Sequence, residues 1–426
     1  MKKILLICRV VVNFAQKNNY PQQGGLPMVR NASLFSQLLN LINRQRFYEL
    51  VYRHHSERYA KKFSSWDHFV AMLFCQLAQA KSLREICGGL ACCLGKLRHL
   101  AMTTAPNKST LSYANAHRPW QMFEDLFYET LKFCQQAAPR KKFRFKNKLL
   151  SLDSTTISLC LALFPWAKFR RTKGAIKLHL LLDHDGYLPT YAYIENAKKH
   201  DITIARKVPL SPGSIIAMDR AYNDYKLYAQ WTENDIYFVT RLKDNADYML
   251  LEVRDIPQNR NIIADDLIMF NGYYARKNYP YPLRRIVVWD DENQRDIVLL
   301  TNHLDFGATT VAAIYKDRWQ IEIFFKALKQ NLKVKTFVGT SENALYIQIW
   351  TALIAMLLIK FLQFKSKLGW SLSNLVAFLR WNLFTYRNLW EWIDRPFETK
   401  PFVPESVQYP LPFVGFGQHS LVKGTT

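Results

Sequence analysis

Hydrophobic positions between residues 28 and 147 recur every three to four residues, which is the spacing of one buried face of an α-helix. Glycine occurs in this part of the chain only within residues 88–95. The pattern therefore predicts a helical N-terminal region. It is clearest in the segments SLFSQLLNLI, SWDHFVAMLFCQLAQA and WQMFEDLFYETLKFCQQ.

From Leu149 onward the pattern changes to short apolar runs bounded by turn residues, as is typical of β-strands. The run LLSLDSTTI predicts a first strand that ends at Asp153, and the turn Asp183–Gly186 predicts a hairpin of strands two and three. The run SIIAMDRAYN predicts a fourth strand that ends at Asp219, and IYFVTRLK predicts a fifth. Further strand-like pieces follow in residues 244–313, namely LIMFNGYYARK, RRIVVWD and DIVLLTN.

The segment Ile314–Lys335 predicts one amphipathic helix. Its polar side carries Tyr315, Arg318, Glu322 and Lys329 within an arc of roughly 60°. One interpretation is a solvent-exposed face with an Arg318–Glu322 pair, worth a few tenths of a kcal/mol. The other is a functional face, in which the glutamate and the cations have separate tasks. The apolar side is formed by Ile314, Ile321, Phe324, Phe325, Leu328 and Leu332.

Several other polar residues have ordinary structural explanations. Asp183 and Asp185 are interpreted as turn residues, because acidic side chains bond to the turn backbone. Asp317 falls on the apolar side of the predicted helix and is interpreted as a charge at a helix end. Lys177 and His179 lie on the second strand, where a substrate contact is one interpretation and a structural role, favoured for His179, is the other.

Two classes of protein do not fit this composition. The longest apolar run, Ile347–Ile359, is shorter than the roughly 18 residues that a membrane span requires, so it predicts a buried helix. The seven cysteines show no spacing typical of a structural zinc site. Helical periodicity continues to about Trp392, and a Pro-rich tail closes the chain.

The charge of the chain indicates a polyanionic partner. The 426 residues carry a formal net charge of +24, which favours nucleic acid first and an anionic membrane surface second. Residues 28–147 hold nineteen Lys and Arg against seven Asp and Glu, so a net charge of +12 lies in this region. The segment Pro139–Lys148 interleaves basic residues with phenylalanine, which suits either contact with a phosphate backbone or a solvated linker.

Two short helices are predicted in SLREICGGLACCL and NKSTLSYANAHRPW, the second entered through Asn107 or Ser109 and ended by Pro119. The pair resembles a helix-turn-helix, and a plain helical bundle with a polar outer helix is the alternative. The basic charge of the region favours DNA contact. The candidate contacts are Lys108, Ser109 and Tyr113, with Thr110, Ser112 and Asn115 beside them.

The order of the predicted elements is that of a ribonuclease-H-like core, with a hairpin, a helix, a strand, a helix, a strand and later a carboxylate-bearing helix. Strands one and four would be neighbours in such a sheet, so Asp153 and Asp219 would lie side by side at one edge. Glu322 is the candidate for a third carboxylate. Adjacent carboxylates repel one another and bind hard divalent cations through oxygen, and three of them form a cage for two metal ions.

Three motifs resemble those of DDE transposases of the insertion-sequence-four family. They are LDST, MDRAY and the signature Tyr-x2-Arg-x3-Glu-x6-Lys of Tyr315, Arg318, Glu322 and Lys329. The resemblance covers about residues 28–392. The segment FSSWDHFVAMLFCQLAQAKSLREI is similar to the N-terminal domain found on many such transposases.

The resemblance implies a DNA transposase that cleaves the ends of its mobile element and joins them to target DNA by hydrolysis and transesterification. Asp153, Asp219 and Glu322 would be both the catalytic residues and the ligands of two Mg²⁺ ions, for which Mn²⁺ can substitute. The partners would be double-stranded DNA, both the terminal inverted repeats and the target, and a second copy of the chain. The protein would act in the cytoplasm, and no membrane would be a partner. The DNA-binding residues would be Tyr315, Arg318, Lys329, Lys108, Ser109 and Tyr113.

The expected fold class is α/β, a ribonuclease-H-like catalytic core with a β-rich insertion and helical flanks. In some relatives an aromatic residue of the insertion stacks on a flipped-out base. Trp289 is the available tryptophan, although its strand favours a core position. The expected divisions are a disordered arm or over-extended start (1–27), a helical DNA-binding domain (28–147), the core (148–243 and 314–345), the insertion (244–313) and C-terminal helices with a tail (346–426).

Two alternatives to a transposase stay open from the sequence. One is a sequence-specific DNA-binding protein without catalysis, against which the presence of all three acids and the signature argues. The other is a structure-specific nuclease that cuts without strand transfer. No motif separates cutting from strand transfer, because that difference depends on the geometry of the DNA partners.

Overall fold

The computed structural model describes residues 32–401, apart from residues 59, 94, 140–142, 171–172, 199–200 and 259. The predicted N-terminal arm and nearly all of the Pro-rich tail lie outside the described residues. Among the residues that the structure describes, six α-helices precede the first strand, as the periodicity of the N-terminal region predicts. They are α1 (Leu34–Leu39), α2 (Arg44–Arg53), α3 (Ser65–Ala78), α4 (Leu83–Ala91), α5 (Lys108–His117) and α6 (Gln121–Gln135).

Serine side chains define where several helices begin, because the hydroxyl oxygen accepts a bond from a free backbone N–H of the first turn. Ser64 precedes α3 and forms a capping box with Asp67, in which each side chain accepts a bond from the other's backbone. Ser33 and Ser82 cap α1 and α4 in the same way with their hydroxyls.

The apolar run near residue 350 forms the buried helix that the sequence predicts. α12 (Glu342–Lys365) is, within the described part of the chain, the one helix long and apolar enough to cross a membrane, but 89% of its apolar stretch is buried in the protein. It packs against α3, α5 and α6, so the N-terminal helices and the C-terminal region share one apolar core. Four other helices complete the C-terminal part: α10 (Ala308–Asp317), α11 (Gln320–Asn331), α13 (Leu372–Asn382) and α14 (Leu389–Asp394).

The central sheet contains the ribonuclease-H-like order of strands. β1 (Leu149–Leu159) pairs antiparallel with β3 (Lys173–Asp183), which pairs antiparallel with β4 (Leu188–Asn196). On its other side β1 is parallel to β5 (Ile215–Met218), and β5 is parallel to β6 (Tyr237–Arg241). The short elements among them are β2 (Lys168–Arg170), α7 (Asp201–Ala205) and α8 (Tyr225–Glu233).

The predicted insertion continues this sheet. Its last strand, β10 (Arg295–Thr301), pairs antiparallel with β6. The strands then follow in the order β10, β9 (Leu283–Asp290), β8 (Ile262–Phe270) and β7 (Tyr248–Val253). The prediction of a strand through NGYYARK was wrong, because Gly272 ends the extended run and Tyr273–Asn278 forms helix α9.

The predicted helix-turn-helix is not formed in its usual geometry. Residues 92–107 separate α4 from α5 and include a 3-10 turn at Leu97–Leu100, whereas the motif joins its helices by a turn of about three or four residues. Asn115 was expected to face a groove, but it is buried and accepts a bond from His68 at 2.7 Å between Oδ1 and Nε2. α5 is therefore an outer helix of the bundle with one polar face.

The burial of His68 predicts an acid sensitivity of the helical region. Burial lowers the pKa of His68 to about 3, so the folded chain stays neutral there while the unfolded chain takes up a proton near pH 6.5. Lowering the pH from 6.5 to 4.5 should therefore destabilise the fold by roughly 2–3 kcal/mol through this residue alone. In urea unfolding at several pH values, His68→Gln should flatten the loss of stability in this window.

The matched control is His99→Gln, because His99 is exposed. This variant should keep the pH dependence of the unmodified protein. An unchanged slope in His68→Gln would show that another group causes the acid sensitivity.

Candidate active site and nucleic-acid groove

The two faces of β1 contact different layers, because successive side chains of a strand point to opposite sides. Leu150 and Leu152 face the apolar cluster that contains α8. Leu149 lies on the other face, in the cluster that contains Val311 and Ile314 of α10. The following residues on this second face, at positions 151, 153 and 155, are polar and are directed towards α10 and α11.

Asp153 and Asp219 are neighbours because of the register of two parallel strands. Leu152 pairs with Met218 at the end of the β1–β5 ladder, so the next residue on each strand is an aspartate. Asp219 follows β5 directly, as predicted. Asp153 lies in the middle of an eleven-residue strand, so the prediction that β1 ends there was wrong. β1 continues because its residues beyond Asp153 remain paired with β3.

The predicted helix over Ile314–Lys335 is interrupted. α10 ends at Asp317 and α11 begins at Gln320, and the bonds that the backbone N–H groups of Trp319 and Glu322 donate span three residues instead of four. Such a tightened turn rotates the second helix relative to the first. Tyr315 therefore lies on α10 and Glu322 on α11.

Arg318, in the turn between these helices, bridges two carboxylates. Its Nη2 donates to Oε1 of Glu322 at 2.8 Å, and its Nη1 lies 3.7 Å from Oδ2 of Asp153. The arginine is only 9% exposed, which excludes the solvent-exposed face considered from the sequence.

The electrostatics of Asp153 reflect a crowded acidic site. The pKa of Asp153 is raised to about 6, chiefly by burial and also by the charges of Glu322 and Asp219. The Ser154 backbone N–H and the Arg318 guanidinium act in the opposite direction. The three predicted carboxylates are thus close enough to influence one another, and one of them resists ionisation.

The other two residues of the signature contact the protein in this structure. Lys329 donates to Oγ1 of Thr155 at 2.5 Å and to the backbone oxygen of Thr156 at 3.1 Å. The Tyr315 ring lies 5.4 Å from the Arg318 guanidinium carbon. Lys329 therefore fastens α11 to β1, a role that its position in the sequence does not indicate.

A groove of about 910 Å³ lies between the β9–β10 hairpin and the α10–α11 turn, and Arg318, which lines it, connects it with Asp153 and Glu322. Trp289 lines this groove and is half-buried, so the prediction of a core position was wrong. Trp319 also lines it and is 57% exposed. The charged residues of the groove balance: Arg241, Arg295, Lys316 and Arg318 are basic, and Asp290, Asp291, Glu292 and Asp317 are acidic.

The candidate DNA contacts of the N-terminal region lie on the polar face of α5. Lys108 and Ser109 are exposed in its first turn. Tyr113 is 67% exposed and stacks on His117, with ring centroids 4.0 Å apart. In the basic linker, Phe143 and Phe145 stack on each other, and Phe145 packs on Phe306, so these rings belong to the fold.

Sequence reasoning missed two polar groups beside the carboxylates. Ser154 and Lys177 both donate to Asp201, at 3.1 and 2.9 Å. His179 is buried against Glu195, which agrees with the structural role favoured for it.

The second missed group joins Ser151, His184 and Asp317. Asp317 was interpreted as an end-of-helix charge, and it does end α10, but it is buried and bonded. Asp183 and Asp185 form the turn as predicted, since Asp183 accepts from the Asp185 backbone N–H at 3.0 Å. In the sequence, the only signal of these groups was the presence of acids and histidines near strand and helix ends.

Within the described residues, no group of three or more His, Cys, Asp and Glu side chains forms a ready metal cage. The chemistry of the donors nevertheless fits a hard divalent cation, because carboxylate oxygens are its preferred ligands. The Arg318 guanidinium supplies positive charge between two of these carboxylates. Asp153, Asp219 and Glu322 therefore offer ligand atoms of the type that such an ion prefers.

A ribonuclease-H-like sheet that brings carboxylates together at the end of its central strands is typical of enzymes that break and join phosphodiester bonds of nucleic acids. Residues 144–358 match the family model described as "Transposase DDE domain". The chain belongs to this family, and it is a DNA transposase of the insertion-sequence-four kind that cleaves DNA and transfers strands. Residues 30–103 match a second model, "Domain of unknown function (DUF4372)".

Named relatives agree with the family. The chain is 32% identical over 281 residues to the "Putative transposase y4zB" of Sinorhizobium fredii, covering 65% of this chain and 77% of that one. It is 29% identical over 274 residues to the "Probable transposase for insertion sequence element IS5377" of Geobacillus stearothermophilus, covering 64% and 72%. A piggyBac transposase complex with hairpin DNA is similar at a TM-score of 0.42 and 11% identity, covering 86% of this chain and 83% of that one, too distant to carry an argument.

The bridging position of Arg318 predicts a pH-dependent stability. Arg318→Met keeps the aliphatic volume and removes the charge, which leaves Asp153 and Glu322 without their cation. In the presence of a chelator, the variant should lose about 1–3 kcal/mol of stability at pH 8, where Asp153 is ionised. At pH 5, below the pKa of about 6 of Asp153, the loss should be smaller, because a protonated Asp153 needs no cation.

Urea unfolding at the two pH values measures this difference. Lys316→Met is the control, because the Lys316 side chain is 86% exposed and should be near-neutral at both values. Equal losses of Arg318→Met at pH 5 and pH 8 would mean that packing, not charge, explains the effect.

Proposed function

We propose that Asp153, Asp219 and Glu322 form the reaction centre and hold two divalent ions, Mg²⁺ or Mn²⁺ in its place. The observation that carries this proposal is the parallel register that brings Asp153 beside Asp219. The contacts of Arg318 with Asp153 and with Glu322 support the assignment of the third carboxylate.

The transposase would use these ions at a phosphodiester bond, where divalent cations stabilise the charge that develops on the attacking and leaving oxygens. The residues of the chain have separate tasks. The three carboxylates bind the ions and compensate their charge. Arg318, at the edge of the groove, would contact a phosphate of the bound strand through its guanidinium.

The groove beside the carboxylates is the proposed path of the DNA strand that is cut. Tyr315, Arg318 and Lys316 line one wall, and the opposite wall carries Arg295 and Trp289. Basic side chains suit the phosphates, and an aromatic ring suits an unstacked base. Lys329 would contact the same strand from the other side of Glu322, in addition to its bonds with β1.

The proposed substrates are the terminal inverted repeats of the element and a target duplex, bound by a homodimer in the cytoplasm. Residues 28–147 with α5 as their polar outer helix are proposed to bind the element ends, through Lys108, Ser109 and Tyr113. The remaining divisions, with the core at 148–243 and 314–345 and the insertion at 244–313, belong to the same proposal. No contact in the described part of the chain favours a DNA-binding protein without catalysis.

Removal of each carboxylate tests the reaction centre. Asp153→Asn, Asp219→Asn and Glu322→Gln should each lower the cleavage rate by at least about a hundredfold, equivalent to roughly 2.7 kcal/mol in the barrier. Binding of the same DNA should remain within about threefold in a gel shift, because an amide removes a metal ligand and little of the surface. The substrate is a duplex that contains the DNA sequence flanking the gene, and the reaction buffer contains Mg²⁺.

Asp235→Asn is the matched control. Asp235 is exposed and precedes β6, at the opposite end of the strands from Asp219, and its positive φ of 55° suits asparagine. It should cleave normally. If a variant of Asp153, Asp219 or Glu322 still cut at the unmodified rate, that residue would not belong to the reaction centre.

The role of α5 predicts a change in salt dependence. If Lys108 neutralises one phosphate, Lys108→Ala in the full-length chain should reduce the slope of log K against log salt by about one. Lys132→Ala, an exposed lysine of α6 that pairs with Glu129, should leave the slope unchanged. Equal salt-dependence slopes for the unmodified protein and both variants would show that the polar face of α5 does not bind the element ends.

A further inference from the structure

Three buried polar residues form a hydrogen-bonded chain between the central strand and the α10–α11 turn. The Ser151 hydroxyl lies 2.7 Å from Nε2 of His184, and Nδ1 of His184 lies 2.6 Å from Oδ2 of Asp317. With Asp317 ionised, Nδ1 donates to the carboxylate and the hydroxyl donates to Nε2, so each group has a partner. We name Ser151, His184 and Asp317 the relay.

The order of atoms is that of a serine hydrolase triad, but the burial excludes this activity. Ser151 is 0% exposed, and His184 and Asp317 are 6% and 5% exposed. No substrate can reach the hydroxyl. The relay therefore acts within the protein.

The relay ends next to two residues of the proposed centre. Ser151 lies two positions before Asp153 on the same face of β1, and Asp317 directly precedes Arg318. Because Arg318 in turn contacts Asp153 at 3.7 Å, the relay and this contact close a ring between the strand and the turn. Glu322 follows Arg318 by about one helical turn, so a displacement of the turn at Asp317 and Arg318 would also displace Glu322.

Helix stability does not explain an aspartate at this position. A negative charge at the C-terminal end of a helix opposes the helix dipole, and burial adds a cost. His184 offsets both, and the Tyr187 hydroxyl gives Asp317 a second donor at 3.3 Å. His184 is itself fixed, because its backbone N–H donates to the Leu149 oxygen at 3.1 Å.

We propose that Ser151, His184 and Asp317 are positioning residues that hold Glu322 and Arg318 in register with Asp153, and so set the affinity of the site for divalent cations. The proposal rests on the metal site proposed above. Hydrogen-bonded residues that orient metal ligands typically change metal affinity or activity by about 10–100-fold when they are removed.

His184→Phe tests the relay, because it keeps a ring of similar volume and removes both hydrogen bonds. The full-length variant without DNA should bind Mn²⁺, measured by electron paramagnetic resonance of the free ion, at least about tenfold more weakly. At saturating Mn²⁺ its single-turnover cleavage rate should also fall by at least about tenfold, while its affinity for the same DNA stays within about threefold. Ser151→Ala removes a single oxygen and should weaken Mn²⁺ binding in the same direction, by a smaller factor.

His68→Phe is the matched control, since His68 is also buried and bonded to one side chain but lies in the helical bundle. It should lower the melting temperature and leave Mn²⁺ affinity unchanged. Unchanged Mn²⁺ affinity in folded Ser151→Ala and His184→Phe would overturn the relay proposal, and so would an equal loss in His68→Phe. If the proposed metal site itself were wrong, Asp153→Asn would also bind Mn²⁺ with unchanged affinity. This result distinguishes failure of the metal site from failure of the relay proposal.

Discussion

Repulsion among like charges is the constraint on which the centre of this transposase depends. Asp153, Asp219 and Glu322 lie close enough that the charges of the other two raise the pKa of Asp153. Such carboxylates would move apart if the backbone allowed it. The protein opposes this in two ways: a buried arginine supplies positive charge, and the elements that carry the acids are fastened to one another at several points.

The fastening follows from the geometry of one strand. Because side chains alternate along β1, its residues at positions 149, 151, 153 and 155 all face α10 and α11. Leu149 joins the apolar cluster of α10, Ser151 bonds to His184, Asp153 meets Arg318, and Thr155 accepts from Lys329. The strand therefore sets the position of both helices, and the turn between the helices lies where the two acidic elements meet.

The surroundings of the centre carry charges of both signs. Four basic and four acidic side chains line the groove next to Arg318, so the excess positive charge of the chain lies elsewhere on the molecule. The apolar core around α12 joins the N-terminal helices to the C-terminal helices. DNA bound to the outer face of α5 would thus be held by a helix that shares its apolar core with the catalytic part of the chain.

Periodicity and motif spacing are local properties of a chain, so they were enough to predict the fold class and the main order of elements, and they singled out the acidic and basic residues of the signature as candidates. The sequence by itself could not determine that a tightened turn divides the signature between two helices, or that Arg318 is buried between Asp153 and Glu322. Nor could it place Trp289 in a groove or join Ser151 to His184 and Asp317. These features depend on contacts between residues that are far apart in the chain. The packing of β1 against α10 and α11 and of the β9–β10 hairpin beside them brings these residues together, and a local sequence pattern carries no record of that packing.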